Sequence, residues 1–432
     1  MYLSTIDRKG RRGSRQGTRP AVTAVGGTVV ALGSVSLLTD ISAEMVTAVL
    51  PLYFVLTLHL SPAAYGVVDG LYTGATALLR LAGGYLADRL HRRKAVAAAG
   101  YGMSALAKLG LTAAGTSVTG LGAVIIVDRA GKGLRTAPRD ALITESVPEP
   151  VLGRAFGIHR AMDSAGAFAG PLIALAILAL VGSTSQAAFH SLFLTSFCIA
   201  AAGVLVLAIF VRDRSSADPP QAPQAATERR TSGVTLGAIA GLLRDASVLR
   251  LLCAAGLLGL TTVGDGFVYL ILMRRQHYAT GWFPLFAVGT NLTYLLLAGP
   301  LGALADRVGR KTMLLSGYGL LGTVYLLLSL PFTGLPTACA VLGLYGAFYA
   351  ATDGVLMALA GPALPQHLRT TGLACVQTVQ ALAYLVSSVA FGAAWTRWGI
   401  GAAAGASLVA VAAAIPVTAI VLPRRNRRKA AR

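Results

Sequence analysis

Apolar stretches long enough to cross a bilayer follow one another through almost the whole of this 432-residue chain. Twelve can each supply about 20 residues of helix, near 34–58, 64–87, 95–115, 119–146, 153–182, 188–211, 248–273, 282–305, 312–331, 336–361, 370–395 and 402–422. Hydrocarbon offers backbone N–H and C=O groups no partner, so such stretches cross as helices. With 55% hydrophobic and only 12% charged residues, the chain lacks the polar faces of soluble helices. It is predicted to be an all-α integral membrane protein with 12 transmembrane helices.

An internal repeat divides these helices. The charged turn GYLADRLHRRK, Gly84 to Lys94, returns as GALADRVGRK, Gly302 to Lys311, about half a chain length later. Duplication on that scale predicts two similar bundles of six helices, 24–211 and 248–422. Residues 1–23 read as a basic, disordered N-terminus, and 423–432 as a basic tail. The segment 212–247 opens on a Pro-, Gln- and Ala-rich run that cannot build a core, and reads as a linker.

The net charge of +20 raises a nucleic-acid reading, which its distribution removes. Of 37 Lys and Arg, six fall in 1–20, four in 89–94, six in 212–250, three in 307–311 and six in 424–432. All these segments lie an even number of crossings from the N-terminus, as do Arg154 and Arg369. The opposite turns hold Arg274, Arg275 and Arg397. That asymmetry is the positive-inside pattern, and it predicts cytoplasmic termini in a plasma-membrane protein. The basic tails would meet anionic lipid rather than nucleic acid. Cys198, Cys253, Cys339 and Cys375 stand singly in apolar stretches, a spacing that suits neither disulfides nor a metal, and are expected to be small buried hydrophobes.

Ionisable groups inside hydrocarbon are costly, so each is a functional candidate. Helix 1 carries Asp40 and Glu44, four apart on one face. Helix 2 carries Asp69 and Arg80. On helix 4, Asp128, Lys132, Arg135 and Arg139 fall within about 60° of one another, with Arg129 beside them. Helix 5 carries Arg160 and Asp163. The second half offers Asp265 and Asp353, with neutral Asn291, Gln377 and Gln380. Tyr53, Tyr72, Phe267, Tyr269, Tyr345 and Tyr349 are cavity or packing residues.

The duplicated turn resembles the Gly-x-x-x-Asp-Arg-x-Gly-Arg-Arg/Lys turn of major facilitator superfamily transporters. Gly84, Asp88, Arg89, Arg92 and Arg93 fit the first copy, with His91 at the second Gly; Gly302, Asp306, Arg307, Gly309, Arg310 and Lys311 fit the second throughout. The likeness extends over residues 24–422 and implies two six-helix bundles with a cytoplasmic gate at these turns. Arg129-x-x-Lys132-Gly133 is similar to the family's Arg-x-x-Gln-Gly element, whose Arg is linked to proton movement; Lys132 and Arg135 depart from it. Gly166-Ala-Phe-Ala-Gly170-Pro171 resembles the antiporter element of family exporters, without its closing Gly-Gly. TDISAEM, GKGLRTAPRDALI and RAFGIHRAMD resemble a prokaryotic branch of permeases.

The resemblance implies a secondary transporter working by alternating access, not an enzyme, and driven by a proton gradient with no cofactor. Its expected cargo is a small organic molecule exported against protons by a monomer. Three readings of the buried charges stand side by side. Arg129 tunes a protonatable Glu44, Asp40 or Asp69; the charges form a static network; or Lys132 and Arg135 bind an anionic cargo, which would favour uptake. A membrane-embedded enzyme using Asp40 and Glu44 is the remote alternative, since such chemistry needs carboxylates free to hold Mg²⁺ and cations surround them here. A receptor without transport is equally remote.

Overall fold

The computed structural model describes residues 27–90, 93–115, 117–147, 152–181, 185–211, 244–276, 278–353, 355–360, 364 and 369–422. The expected disordered N-terminus, the linker from 212 to 243 and the basic tail lie outside them. Among the described residues all regular structure is helical. In chain order the helices are α1 Gly27–Thr47, α2 Leu50–Leu52, α3 Pro62–Leu90, α4 Arg93–Ala113, α5 Val118–Ser146, α6 Leu152–Val181 and α7 Gln186–Phe210. Then follow α8 Ala246–Gly259, α9 Asp265–Gln276, α10 Phe283–Val308, α11 Arg310–Ser329, α12 Leu335–Thr352, α13 Val355–Ala360 and α14 Arg369–Val421.

Among the described residues, seven helical runs are long and apolar enough to cross a membrane: Gly27–Thr57, Ala155–Val181, Gln186–Phe210, Thr280–Val308, Arg310–Ser329, Leu335–Ala360 and Gly372–Val421. Helices α3, α4 and α5 are as long, but carry polar groups; α5 alone holds Asp128, Arg129, Lys132, Arg135, Arg139 and Asp140. Some stretches expected to be single helices are broken. Residues 248–273 divide into α8 and α9 around 260–264, and 336–361 is interrupted after Thr352. The expected helices 370–395 and 402–422 both lie within α14, which is two helices meeting at a kink at Gly399, non-helical at φ 83° and ψ 172°.

Helix starts follow ordinary capping chemistry. Ser117 accepts from the Gly120 amide, Ser185 from Ala188, and Asp245 from Ser247 and Val248. Gly309, at φ 98°, both ends α10 and starts α11, so the second copy of the charged turn is as tight as a two-helix corner can be. In the first copy, Gly84, Asp88 and Arg89 lie on the last turns of α3; their side chains, that of Arg80, and Arg92 altogether lie outside the description.

The duplication shows in what the two turns hold. Lys94 donates to the carbonyl of Ala208, at the end of α7, at 3.0 Å. Lys311 donates to the carbonyls of Ala419, at 2.5 Å, and Leu422, at the end of α14. In each half the final Lys of the turn therefore satisfies orphan carbonyls of that half's last helix. Arg310 reaches the Ala358 carbonyl at 2.7 Å and Asp306 at 3.4 Å.

Close packing rests on glycines. Helix α6 lies on α1, where a Cβ on Gly166 would meet the Leu37 carbonyl at 2.5 Å and one on Gly170 would meet the Glu44 Cβ at 2.8 Å. Between the halves, α3 packs on α14 and α6 on α10. A Cβ on Gly70 would meet the Leu385 carbonyl at 2.9 Å, and Gly66 and Gly392 abut the carbonyls of Ser388 and Pro62. The cysteines correct the expectation of burial: Cys198, Cys253 and Cys339 are exposed and Cys375 partly so. A small apolar side chain gains nothing from the core when its helix faces lipid.

Candidate functional site: a cavity between the two halves

A cavity of about 640 Å³ lies between the halves, within the range of small-molecule sites. The first half contributes Glu44 from α1, Asp69 and Tyr72 from α3, and Arg129 and Lys132 from α5. The second contributes Asp265 and Tyr269 from α9, Asn291 from α10, Tyr349 from α12, Asp353, and Gln377, Gln380 and Tyr384 from α14. Of the candidate charges, Glu44, Asp69, Arg129, Lys132, Asp265 and Asp353 are brought together on its walls.

Asp40, Asp128, Arg135, Arg160 and Asp163 are placed elsewhere. The helix-4 stripe divides: Lys132 faces the cavity, while Asp128, Arg135 and Arg139 reach residues of α4, α1 and α6. Asp128, 7% exposed, pairs with Lys108 of α4 and with Arg129, and accepts from Ser104 at 2.6 Å. Arg135 turns to Asp40 at 3.8 Å and lies over the Tyr101 ring at 4.6 Å. Arg139 reaches Asp140 at 2.9 Å, Asp163 at 3.9 Å and Ser36 at 3.3 Å, while Ser36 also meets His159 at 2.8 Å. Arg160 is exposed.

Arg129 pairs with its own neighbour Asp128, through Nε at 3.0 Å and through Nη2, with its guanidinium 3.7 Å above the Tyr72 ring, and shares the cavity wall with Glu44. Lys132 and Arg135 do not form a joint anion site, since Lys132 faces the cavity and Arg135 does not. The pairing of Asp40 and Glu44 on one face does occur, with both Cβ atoms against the Gly166 and Gly170 stripe.

The cavity carboxylates are held by hydroxyls. Asp69 accepts from Ser388 at 2.7 Å, Tyr384 at 3.1 Å and Tyr65 at 3.5 Å, the first two across the boundary between halves. Asp265 opens α9, where a carboxylate suits the helix N-terminus, and accepts from Tyr345 at 3.0 Å and Tyr349 at 2.5 Å. Asp353 accepts from Tyr294 at 2.8 Å. A ring cluster adjoins the cavity at Tyr65: Phe267 lies 4.8 Å from Tyr65, 4.9 Å from Phe391 and 5.8 Å from Trp395, and Arg274 sits over Trp395 at 5.4 Å.

The sequence profile of the Major Facilitator Superfamily matches residues 32–296 and 277–432. This chain belongs to that superfamily. An uncharacterized MFS-type transporter of Methanocaldococcus jannaschii is 30% identical over 377 residues, covering 85% of this chain and 88% of its own length. An uncharacterized protein of Mycobacterium tuberculosis is 35% identical over 167 residues, 38% of this chain and 40% of its own. Among solved structures, a POT family transporter in complex with a thioalcohol-conjugated peptide superposes with TM-score 0.73 at 15% identity, over 91% of this chain and 95% of that one. The nucleoside transporter NupG does so with TM-score 0.71 at 15% identity, over 91% and 98%. The fold is shared, and the chain is a membrane transporter rather than an enzyme.

In this MFS transporter the repeat itself points to residues that charge-spotting misses. Carried forward from Lys94 and Lys311, its register sets Lys108 against Tyr325, Asp128 against Tyr345 and Lys132 against Tyr349. The first half thus builds its buried network from charges and the second from phenols: Tyr325 donates to the Thr261 carbonyl at 2.9 Å, and Tyr345 shares its one proton between the Val263 carbonyl at 2.9 Å and Asp265. Both hydroxyls stitch the break between α8 and α9, which leaves backbone groups that need partners.

Proposed function

We propose that this chain is a secondary transporter with twelve crossings, two six-helix bundles (24–211 and 248–422) and cytoplasmic termini, exporting a small organic molecule from the cell in exchange for protons. The observation that carries the reading is the cavity between the halves, lined by Glu44 and Asp69 on one side and Asp265 on the other. The alternating-access scheme places a site at the interface of two repeats that rock about it. With the Arg274 end taken as the outer one, the ring cluster and the α3–α14 contact form the closed outer gate, and the duplicated charged turns the cytoplasmic one.

Asp69 is the first choice for the proton site. Outward opening must part α3 from α14 and remove the Ser388 and Tyr384 hydroxyls, so the carboxylate loses donors and gains outside water in one movement. Glu44, packed on the Gly170 stripe of the antiporter-like element, is the second. The proton gradient supplies the energy, and the monomer is the working unit. The anionic-uptake reading loses its paired cations, since Arg135 is engaged with Asp40.

The test is flux in proteoliposomes with an imposed pH gradient and an entrapped pH dye. Export by antiport predicts that a transported solute moves against the proton flow, and that Asp69→Asn uncouples the two. Cargo and protons moving in the same direction would overturn it.

A further inference from the structure

We infer that the cargo is an organic cation whose positive group docks on Asp265. The inference rests on the transport reading and deepens it by naming the substrate class.

The charge balance of the cavity points this way. Ion pairs among the described residues engage Asp40, Asp128, Asp140, Asp163 and Asp306. The cavity carboxylates Glu44, Asp69, Asp265 and Asp353 are not in that set. Among the described lining residues the cations are Arg129 and Lys132, both on α5. Arg129 is already bound by Asp128 and stacked on Tyr72. Among its described residues, the wall contributed by the second half therefore holds carboxylates and no cation, facing a volume that suits a small molecule.

Asp265 is the built member of the group. It stands where α9 begins, and its Oδ1 receives the Tyr349 hydroxyl, with the Tyr345 hydroxyl shared between it and the Val263 carbonyl. The Tyr349 hydroxyl and the helix N-terminus fix this carboxylate at the cavity wall, where an arriving ammonium would add a charged hydrogen-bond partner. The surrounding lining is aromatic: Tyr269, Tyr318, Phe348 and Tyr349 all border the cavity. Ring faces attract cations, more so where water is thinned out, and they tolerate varied apolar bodies around the charged group. An anion would meet these ring faces and carboxylates unfavourably. Lys132, on the opposite wall, repels a cation and so confines the charged group to the Asp265 side.

The experiment uses purified full-length protein in nanodiscs and measures binding of ethidium and of tyramine, with fluorescein and benzoate as the anionic counterparts. The wild type is expected to bind the two cations, Asp265→Asn to bind them roughly 10- to 100-fold more weakly, and Asp265→Glu to recover most of the loss. Lys132→Gln is expected to bind cations at least as tightly as the wild type. Failure of the wild type to bind either cation, equal binding by Asp265→Asn, or binding of the anions alone would overturn the inference. Parallel flux assays in proteoliposomes separate the two levels: anions crossing without cations sinks the cation assignment only. Neither class crossing in the protein-containing vesicles sinks the transport reading itself.

Discussion

Asp69 of α3 accepts a hydrogen bond from Ser388 of α14 at 2.7 Å, joining the first half of the chain to the second beside the cavity. Further along the same two helices, the Ala63 amide donates to Thr396 Oγ1 at 3.1 Å, and Gly66 and Gly392 admit the backbone of the opposing helix. This seam must open in every cycle if access alternates. Cysteines placed at Ala63 and Thr396 are therefore expected to crosslink on oxidation, to abolish flux, and to restore it on reduction. Flux unaffected by a complete crosslink would show that the seam is static.

The Gly166 and Gly170 stripe sets the position of Glu44. Any Cβ at Gly170 would lie under 3.0 Å from the Ile41 carbonyl, Glu44 Cβ and the Met45 amide, so backbone must shift. Gly170→Val is expected to destabilise the protein by about 1–3 kcal/mol through overpacking, read as a lowered Tm in detergent. Gly102→Ala is the control, since nothing lies within 4 Å of its added Cβ. It should leave Tm unchanged or slightly raised.

Asp128 neutralises two buried cations, Lys108 and Arg129, which are 3% and 4% exposed. Removing one member of a buried charge group leaves its partners uncompensated, at about 3–5 kcal/mol. Asp128→Asn is therefore expected to cost more than Lys108→Met, which leaves the Asp128 and Arg129 pair intact. Denaturation midpoints in detergent give the order, and Lys108→Met as the worse of the two would contradict it.

Much of this arrangement is legible in the sequence. Apolar length gave the helices, and the repeated Gly-x-Leu-Ala-Asp-Arg turn gave the two halves. The rule that charge in hydrocarbon needs a reason picked out Glu44, Asp69, Lys132, Asp265 and Asp353, all now on the cavity wall. What stayed hidden was partnership. Ser388 and Tyr384 carry no charge, so nothing in the string marks them as the donors to Asp69. Lys108 sits alone in α4, and its carboxylate lies on the next helix. A helical wheel places Asp128, Lys132, Arg135 and Arg139 on one stripe, yet Lys132 faces the cavity while the other three reach different helices. The break between α8 and α9 is likewise silent, because the hydroxyls that satisfy its backbone come from α11 and α12.

Lys94 and Lys311 offer the last test, because they do the same work in the two halves. Each places an ammonium on the terminal carbonyls of its half's final helix, Lys94 on Ala208 and Lys311 on Ala419 and Leu422. A cation there satisfies orphan acceptors and suits the helix dipole, a contribution of about 0.5–2 kcal/mol. Lys311→Met and Lys94→Met are each expected to lower the denaturation midpoint in detergent. The two sites hold different helices in different halves, so the double variant should show the sum of the single losses to within about 0.5 kcal/mol. Neither residue lines the cavity, so cargo affinity should stay at its wild-type value. A double variant that loses far more than the sum would mean that the two halves stand or fall together through their charged turns, and a changed affinity would tie those turns to the cavity.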